Sequence, residues 1–199
     1  MQTTTIPVSA NAETPWVLPN RGVVAMWCLI AAESAIFVIF VVAYIYYLGK
    51  SISGPLPAQV LELPIFGTIC LLSSSLTVHA AVSALRKNKA RACSLWLAST
   101  VLLGGTFIAT TALEWKHLIC DWGLTIRTNL FGTTYYSLVG LHATHVIVGL
   151  LMLIIALVFA LSGSLREEHS ERLEVLSLYW HFVDAVWVVV FLVVYVLGR

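Results

Sequence analysis

The chain has 199 residues, of which 59% are hydrophobic and only 11% charged, whereas a typical soluble domain has about 25% charged residues. The formal net charge of +1 excludes two classes of protein. One is a nucleic-acid-binding protein with a basic surface, and the other is a protein with a strongly acidic disordered tail. The four cysteines are scattered without a CxxC pair, so the sequence predicts neither a disulfide framework nor a zinc site.

Five apolar stretches follow a polar N-terminal tail, residues 1–22, which lacks the apolar core of a cleaved secretory signal. Crossing about 30 Å of hydrocarbon takes roughly 20 apolar residues in a helix. Residues 23–48, 63–85, 92–113, 135–161 and 175–197 reach that length without the alternation of barrel strands. The sequence therefore predicts an all-α, polytopic membrane protein, with a five-helix transmembrane domain over residues 23–197.

The positive charges in the connections predict the orientation of this bundle. The N-terminal tail, the basic hairpin LRKNKAR and the fourth loop share one side, with seven Lys and Arg residues against four on the other. Because cytoplasmic loops carry the excess of Lys and Arg, we expect the N-terminus in the cytoplasm and the C-terminus on the opposite side.

Few ionisable residues lie inside the predicted spans, where each costs on the order of 3 kcal/mol and needs a partner or a function. In chain order they are Glu33, His79, His142, His145, His181 and Asp184. Three further acids, Glu62, Glu114 and Glu174, are expected at helix ends, within reach of water or headgroups.

The fourth span carries His142 and His145 at a spacing that places both imidazoles on one helix face. Such a face can ligate haem or copper, which would make the chain a membrane cytochrome. The favoured interpretation is structural: the histidines and Glu33 hydrogen-bond across helices, and Gly140 and Gly149 let the backbones approach closely.

The fifth span repeats this spacing with His181 and Asp184. A carboxylate beside an imidazole serves either as a proton relay or as a satisfied polar couple, and the structural couple is favoured. Glu33 stands alone in an apolar helix, which makes it a candidate proton carrier as well as a packing residue.

Motifs of soluble enzymes are missing from the sequence, which has no P-loop, dinucleotide fingerprint, HExxH or nucleophile elbow. It also lacks the paired broken helices typical of secondary transporters built from repeats. No catalytic residue is predicted, although a stand-alone proton channel or transporter with a path past Glu33 stays open as an alternative.

Four ordered segments resemble subunit III of the haem-copper terminal oxidases. Met26-Trp27 with Ala31-Ala-Glu33 resembles the family's M-W-x-x-x-x-S-E helix, and residues 64–79 resemble its Ser-rich helix. Gly140-Leu-His-Ala-Thr-His-Val146 is similar to its G-x-H-x-x-H-V helix. Tyr179-Trp-His-Phe-Val-Asp-Ala-Val-Trp187, preceded by Glu174, resembles its last helix, so the resemblance covers essentially residues 22–199.

The resemblance implies a non-catalytic core subunit of a respiratory complex that reduces dioxygen to water and pumps protons. Haem and copper would lie in subunits I and II, with none bound by this chain, which would pack on subunit I and hold phospholipids. Glu33 matches the family's membrane-embedded carboxylate and His145 the second histidine, and we expect them to hydrogen-bond. With His142, Glu174, His181 and Asp184 they form a predicted proton-uptake or structural polar cluster.

The form of the resemblance narrows the expected setting. The chain lacks the first two helices of the seven-helix form, so a lipid cleft built with those helices is not expected. The five-helix form implies a bacterial plasma membrane and most often a cytochrome c oxidase, and a larger respiratory supercomplex is named as a further partner. The alternatives within the family are a quinol oxidase subunit III and a related protein associated with nitric oxide reductase.

Overall fold

A computed structural model describes residues 21–51 and 54–198, so residues 1–20 of the predicted tail lie outside the described residues. Five helices are long and apolar enough to cross a membrane, which confirms the predicted fold class. They are α1 (Arg21–Tyr47), α3 (Ile65–Arg86), α4 (Ala90–Cys120), α5 (Leu130–Leu161) and α6 (Ser170–Phe191). A short α2 (Pro57–Val60) lies between α1 and α3. A 3₁₀ turn (Glu167–His169) precedes α6 and a π-helix (Leu192–Leu197) follows it, and the described residues contain no strand.

Two helices are longer than the apolar stretches that predicted them. Helix α4 continues to Cys120 rather than ending at residue 113, and α5 begins at Leu130 rather than at residue 135. The earlier start of α5 follows from its N-cap, because the Asn129 side chain accepts a hydrogen bond from Gly132 N at 2.7 Å. The prediction that Glu114 lies at a helix end is therefore wrong, since the helix runs on beyond it.

The helices form an up-and-down bundle. Helix α3 packs against α4 and α6, α5 packs against α4 and α6, and α1 lies at the edge against α5 and α6. At one end Arg86 pairs with Glu174, and at the other Phe131 N donates to Ser51 Oγ at 3.0 Å. The start of α1, the hairpin between α3 and α4 and the connection from α5 to α6 thus share one end, as the charge argument requires.

The basic hairpin between α3 and α4 turns within three residues. Asn88 has φ 52°, a left-handed conformation that asparagine tolerates better than most residues, and α4 begins two residues later at Ala90. The tight turn predicted here is confirmed.

The bundle interior is built around Trp180, which is fully buried. A Cβ placed on Gly149 would lie 2.8 Å from Trp180 Cε3, and one on Gly104 would lie 2.9 Å from its Cη2. Only glycine lets α4 and α5 close on this indole, so the predicted packing role of Gly149 is confirmed. Gly140 has no such role, because a Cβ there would only make an ordinary contact with Trp115 at 3.5 Å.

Candidate functional site

Glu33 on α1 and His145 on α5 form a polar pair inside the bundle. His145 Nε2 lies 3.1 Å from Glu33 Oε2, and the two side chains are 14% and 26% exposed. The predicted hydrogen bond between these residues is therefore present. Phe37 covers the imidazole, with ring centroids 4.9 Å apart, so an aromatic side chain rather than lipid closes this side of the pair.

The second ring nitrogen of His145 defines how many protons the pair holds. His145 Nδ1 lies 2.8 Å from the Leu141 carbonyl oxygen, which can only accept, so Nδ1 must carry hydrogen. The contact between Nε2 and Glu33 Oε2 then requires one further proton, either on the carboxyl or on the imidazole. The pair can therefore pass a single proton between two atoms without changing its geometry.

A second cluster joins α3 and α6 through Ser75. The Ser75 hydroxyl donates to Asp184 Oδ2 and lies 2.9 Å from His181 Nδ1, which donates to it in turn. His181 and Asp184 are thus bridged rather than directly coupled, which corrects the expectation of a direct pair. Their spacing along α6 brings both to one hydroxyl on the neighbouring helix. The run of three serines at residues 73–75 was the signal in the sequence for this bridging hydroxyl.

His142 does not join either cluster. Both of its ring nitrogens are buried and lack a hydrogen-bond partner among the described residues. Its imidazole stacks on Trp187 with ring centroids 5.0 Å apart and an interplanar angle of 29°, and Phe107 covers its edge. The expectation that His142 hydrogen-bonds across helices is wrong, because its position on α5 turns it towards aromatic rings.

Glu174 lies apart from the other predicted site residues. Its carboxylate pairs with Arg86 at the end of α3, and both side chains are about half exposed. The pair joins two helices at the membrane surface, where ion pairs of this kind contribute about 0–1 kcal/mol. Glu174 therefore lies at the rim of the bundle, as expected of an acid near a helix end, and does not contact the other residues of the predicted polar cluster.

A third buried cluster was missed by sequence reasoning. Glu114 Oε1 accepts hydrogen bonds from Tyr195 Oη at 2.8 Å and from Tyr135 Oη at 3.1 Å, joining α4, α5 and the π-helix. Both tyrosines are fully buried. The signal in the sequence was that apolar residues flank Glu114. The predicted helix ended at residue 113, however, so Glu114 was expected at the membrane surface.

A redox metal requires several ligand side chains that converge on one point. Within residues 21–51 and 54–198, no three His, Cys, Asp or Glu side chains converge at a spacing suited to a metal ion. His142 faces Trp187 and Phe107, whereas His145 faces Glu33. The two histidines thus point to different neighbours instead of forming a bis-imidazole site.

Comparison with known proteins gives a consistent family. The model of the family "Cytochrome c oxidase subunit III" matches residues 24–199. Cytochrome c oxidase subunit 3 of Alkalihalophilus pseudofirmus is 35% identical over 174 residues, covering 86% of this chain and 84% of the relative. The Synechocystis protein of the same name is 36% identical over 187 residues, 90% of this chain and 77% of the relative.

Subunit 3 of quinol oxidases also matches this chain. Cytochrome bo(3) ubiquinol oxidase subunit 3 of Pseudomonas aeruginosa is 32% identical over 181 residues, covering 90% of this chain and 86% of the relative. Three observations agree on one family. They are the five-helix bundle, the carboxyl–imidazole pair between α1 and α5, and the family model that spans nearly every described residue. The chain belongs to the cytochrome c oxidase subunit III family.

Proposed function

We propose that this chain supports proton uptake in a haem-copper cytochrome c oxidase of the bacterial plasma membrane and stabilises the enzyme during turnover. Membership of the family makes it subunit III of a terminal oxidase complex. In this proposal it has no catalytic residue, haem and copper are held by subunits I and II, and phospholipids occupy clefts on its surface. The N-terminus faces the cytoplasm, the side from which protons are taken up.

The observation that carries the proposal is the one-proton link between Glu33 and His145. Because Leu141 O fixes the hydrogen on His145 Nδ1, the contact between Oε2 and Nε2 must hold a proton. A partly buried carboxyl with a base 3.1 Å away can take up and return that proton with little movement. This is the property required of a local proton store near an uptake path.

Replacing Glu33 tests this role in the assembled oxidase. Glu33→Gln keeps the size of the side chain and a donor for His145 Nε2, but it cannot release a proton. We expect Glu33→Gln and Glu33→Ala alike to leave subunit content and haem spectra unchanged, while slowing proton uptake or shortening the active lifetime. Proton uptake in reconstituted vesicles and the decay of oxygen consumption during turnover measure the two effects.

The contrast between the two variants separates proton exchange from packing. A purely structural Glu33 would be replaced successfully by glutamine and not by alanine, because only glutamine restores the hydrogen bond to His145. Ser34→Ala is the matched control, since the Ser34 hydroxyl donates to Ile30 O within the same helix. Normal uptake and lifetime in Glu33→Gln would contradict the proposed proton role.

A quinol oxidase subunit is the second candidate. It is favoured by the 32% identity to the ubiquinol oxidase subunit of Pseudomonas aeruginosa, close to the 35% found with a cytochrome c oxidase subunit. The activity of the purified complex distinguishes cytochrome c from quinol as the electron donor. Oxidation of reduced cytochrome c, without oxidation of a short-chain quinol, is expected for the proposed function, and the reverse result supports the second candidate.

A further inference from the structure

Glu114 and the two tyrosines bonded to it have no part in the proposed function. Glu114 Oε1 accepts hydrogen bonds from Tyr195 Oη at 2.8 Å and from Tyr135 Oη at 3.1 Å, and the two phenol oxygens lie 3.2 Å apart. Because both phenols donate to the same carboxyl oxygen, that oxygen carries no hydrogen of its own. Each of the two buried phenols therefore has a proton acceptor already in place.

The other tyrosines inside the bundle lack such an acceptor. Tyr136 and Tyr179 donate to backbone carbonyl oxygens, and the buried hydroxyl of Tyr44 has no partner in the described part of the chain. A carbonyl oxygen is a weak base, whereas a carboxylate binds a proton readily. Transfer of a phenolic proton is therefore open only to the two tyrosines that contact Glu114.

The same two phenols belong to a continuous row of easily oxidised rings, called here the aromatic row. In order it contains Trp187, Tyr195, Tyr135, Tyr136 and Trp115, with successive ring centroids 6.2, 6.5, 5.1 and 5.4 Å apart. These separations lie within the about 4.5–7 Å of interacting aromatic pairs, and indole and phenol are the aromatic side chains that lose an electron most readily. An electron can therefore step from ring to ring between the buried Trp187 and the partly exposed Trp115.

The acceptor carboxyl has a connection to the surface. Glu114 lines a cavity of about 360 Å³ at the end of the bundle opposite the basic hairpin, together with Glu62 and His117. The side chains of both of these residues are exposed, so the cavity opens at the surface. A proton received by Glu114 can leave through this cavity or return to the phenol.

The backbone around Tyr195 is also unusual. Tyr195 lies in the π-helix that follows α6, and segments of this kind are rare and occur frequently at functional sites. The wider turn of this segment carries the phenol that lies nearest to Glu114. The irregular backbone and the shortest phenol–carboxyl contact thus occur at the same residue.

We infer that Tyr135, Tyr195 and Glu114 form a redox-active tyrosine site that receives an oxidising equivalent from the aromatic row. The oxidant is hydroxyl radical, formed when a terminal oxidase reduces dioxygen incompletely. It takes one electron from Trp187, becomes hydroxide and leaves the indole radical cation. Tyr195 then gives an electron to this indole and its phenolic proton to Glu114 Oε1. The products are neutral Trp187, a neutral tyrosyl radical and a protonated Glu114.

The cycle closes when a one-electron reductant outside the membrane supplies an electron through Trp115 and Tyr136. The phenoxyl oxygen regains its proton from Glu114, so the site is restored. The aromatic row protects the bundle interior, because the oxidising equivalent leaves Trp187 before the indole reacts irreversibly. This activity goes beyond the proposed function, and it requires neither Glu33 nor a bound lipid.

A photo-oxidant attached to native Cys120 tests the site in the assembled oxidase. Cys120 is exposed and lies on α4 beyond Trp115, at a rise of about 7.5 Å along the helix. A flash on a thiol-linked ruthenium polypyridyl complex, with pentaamminechlorocobalt(III) as the electron acceptor, produces a one-electron oxidant beside the aromatic row. We expect a neutral tyrosyl radical in the electron paramagnetic resonance and transient absorption spectra. Its formation should be slower in heavy water, because a proton moves with the electron.

Variants identify the radical and its proton acceptor, with Cys120→Ser as the background from labels on other subunits. Tyr135→Phe combined with Tyr195→Phe should lower the radical yield to that background. Glu114→Gln keeps an acceptor oxygen for both phenols but binds no proton, so it should slow radical formation about 100-fold, the lower end of the effect of a positioned base. Tyr44→Phe is the matched control, because this tyrosine is equally buried and its hydroxyl has no partner in the described part of the chain. It should leave the yield and the rate unchanged.

Several results would overturn the inference. A wild-type radical yield in the double phenylalanine variant would assign the radical to other residues, and an equal loss in Tyr44→Phe would show that any buried tyrosine suffices. An unchanged rate in Glu114→Gln, or equal rates in ordinary and heavy water, would show that Glu114 does not receive the proton. The comparison of the two solvents needs no substitution, so it decides the question even if Glu114→Gln does not assemble.

Discussion

His142 and His145 show how differently two neighbouring histidines of one helix are used. His145 has partners at both nitrogens, the Leu141 carbonyl and Glu33, whereas the nitrogens of His142 have none among the described residues. An orphaned buried polar group costs stability, and replacing it by an apolar group of similar shape removes that cost. His142 thus acts mainly as a flat ring packed on Trp187.

This contrast predicts that substitution of the two histidines by phenylalanine has opposite effects on the unfolding temperature. We expect His142→Phe to keep or raise the thermal unfolding temperature, because it removes unpaired nitrogens and keeps an aromatic ring on Trp187. His145→Phe should lower it, since an unpaired Glu33 costs about 1–3 kcal/mol, or at least about 2 °C in a chain of this size. Unfolding followed by circular dichroism in the same detergent measures both, and equal destabilisation would show that His142 has an undetected partner.

The contacts between α6 and its neighbours depend on two indoles. Trp180 Nε1 donates to Ser74 Oγ at 2.8 Å and Trp187 Nε1 donates to Thr68 Oγ1 at 3.1 Å, so both rings anchor α6 to α3. The other side of Trp180 is occupied by the backbones of α4 and α5 at Gly104 and Gly149. The tryptophans satisfy their N–H groups inside the membrane and fill the centre of the bundle.

Alanine at Gly149 tests this close approach. Its Cβ would meet Trp180 Cε3 at 2.8 Å, so the ring or the helix must move, at a cost of about 1–3 kcal/mol. We expect a lower unfolding temperature and weaker retention of this subunit by the complex. Gly105→Ala is the matched control on α4, because nothing lies within 4 Å of the position of its added Cβ. If the two alanine variants unfold alike, the indole does not require a glycine at position 149.

At the scale of the whole molecule, the up-and-down bundle separates two chemically different ends. One end has the basic hairpin and the pair of Arg86 with Glu174, and the other has Glu114 bonded to Tyr135 and Tyr195. The excess of positive charge at the first end predicts that it faces the cytoplasm.

Native Cys120 offers a direct test of the orientation. It is exposed at the end of α4, on the predicted outer side, whereas Cys70 and Cys93 are buried. A membrane-impermeant maleimide should label Cys120 in intact spheroplasts, and Cys120→Ser should abolish that signal. In a Cys120→Ser background, Lys87→Cys in the hairpin should react only in inverted vesicles. Labelling of Lys87→Cys from outside would reverse the topology.

The amino-acid sequence by itself determined the number of helices, their order and the ends that share a side. Hydropathy and charge are sums along the chain and need no knowledge of neighbours. The four ordered segments also identified the family, and they placed Glu33 and His145 together. The predicted positions of the helix ends were less accurate, because the Asn129 cap and the extension of α4 to Cys120 lie outside the apolar stretches.

Only the tertiary structure decided which polar groups pair. Residues three apart differ by about 60° around a helix, enough to direct His145 to Glu33 and His142 to Trp187. The bridge of His181 and Asp184 through Ser75, and the burial of Glu114 between two tyrosines, depend on the register of separate helices. That register is set by side-chain packing around Trp180, and no local property of the sequence encodes it.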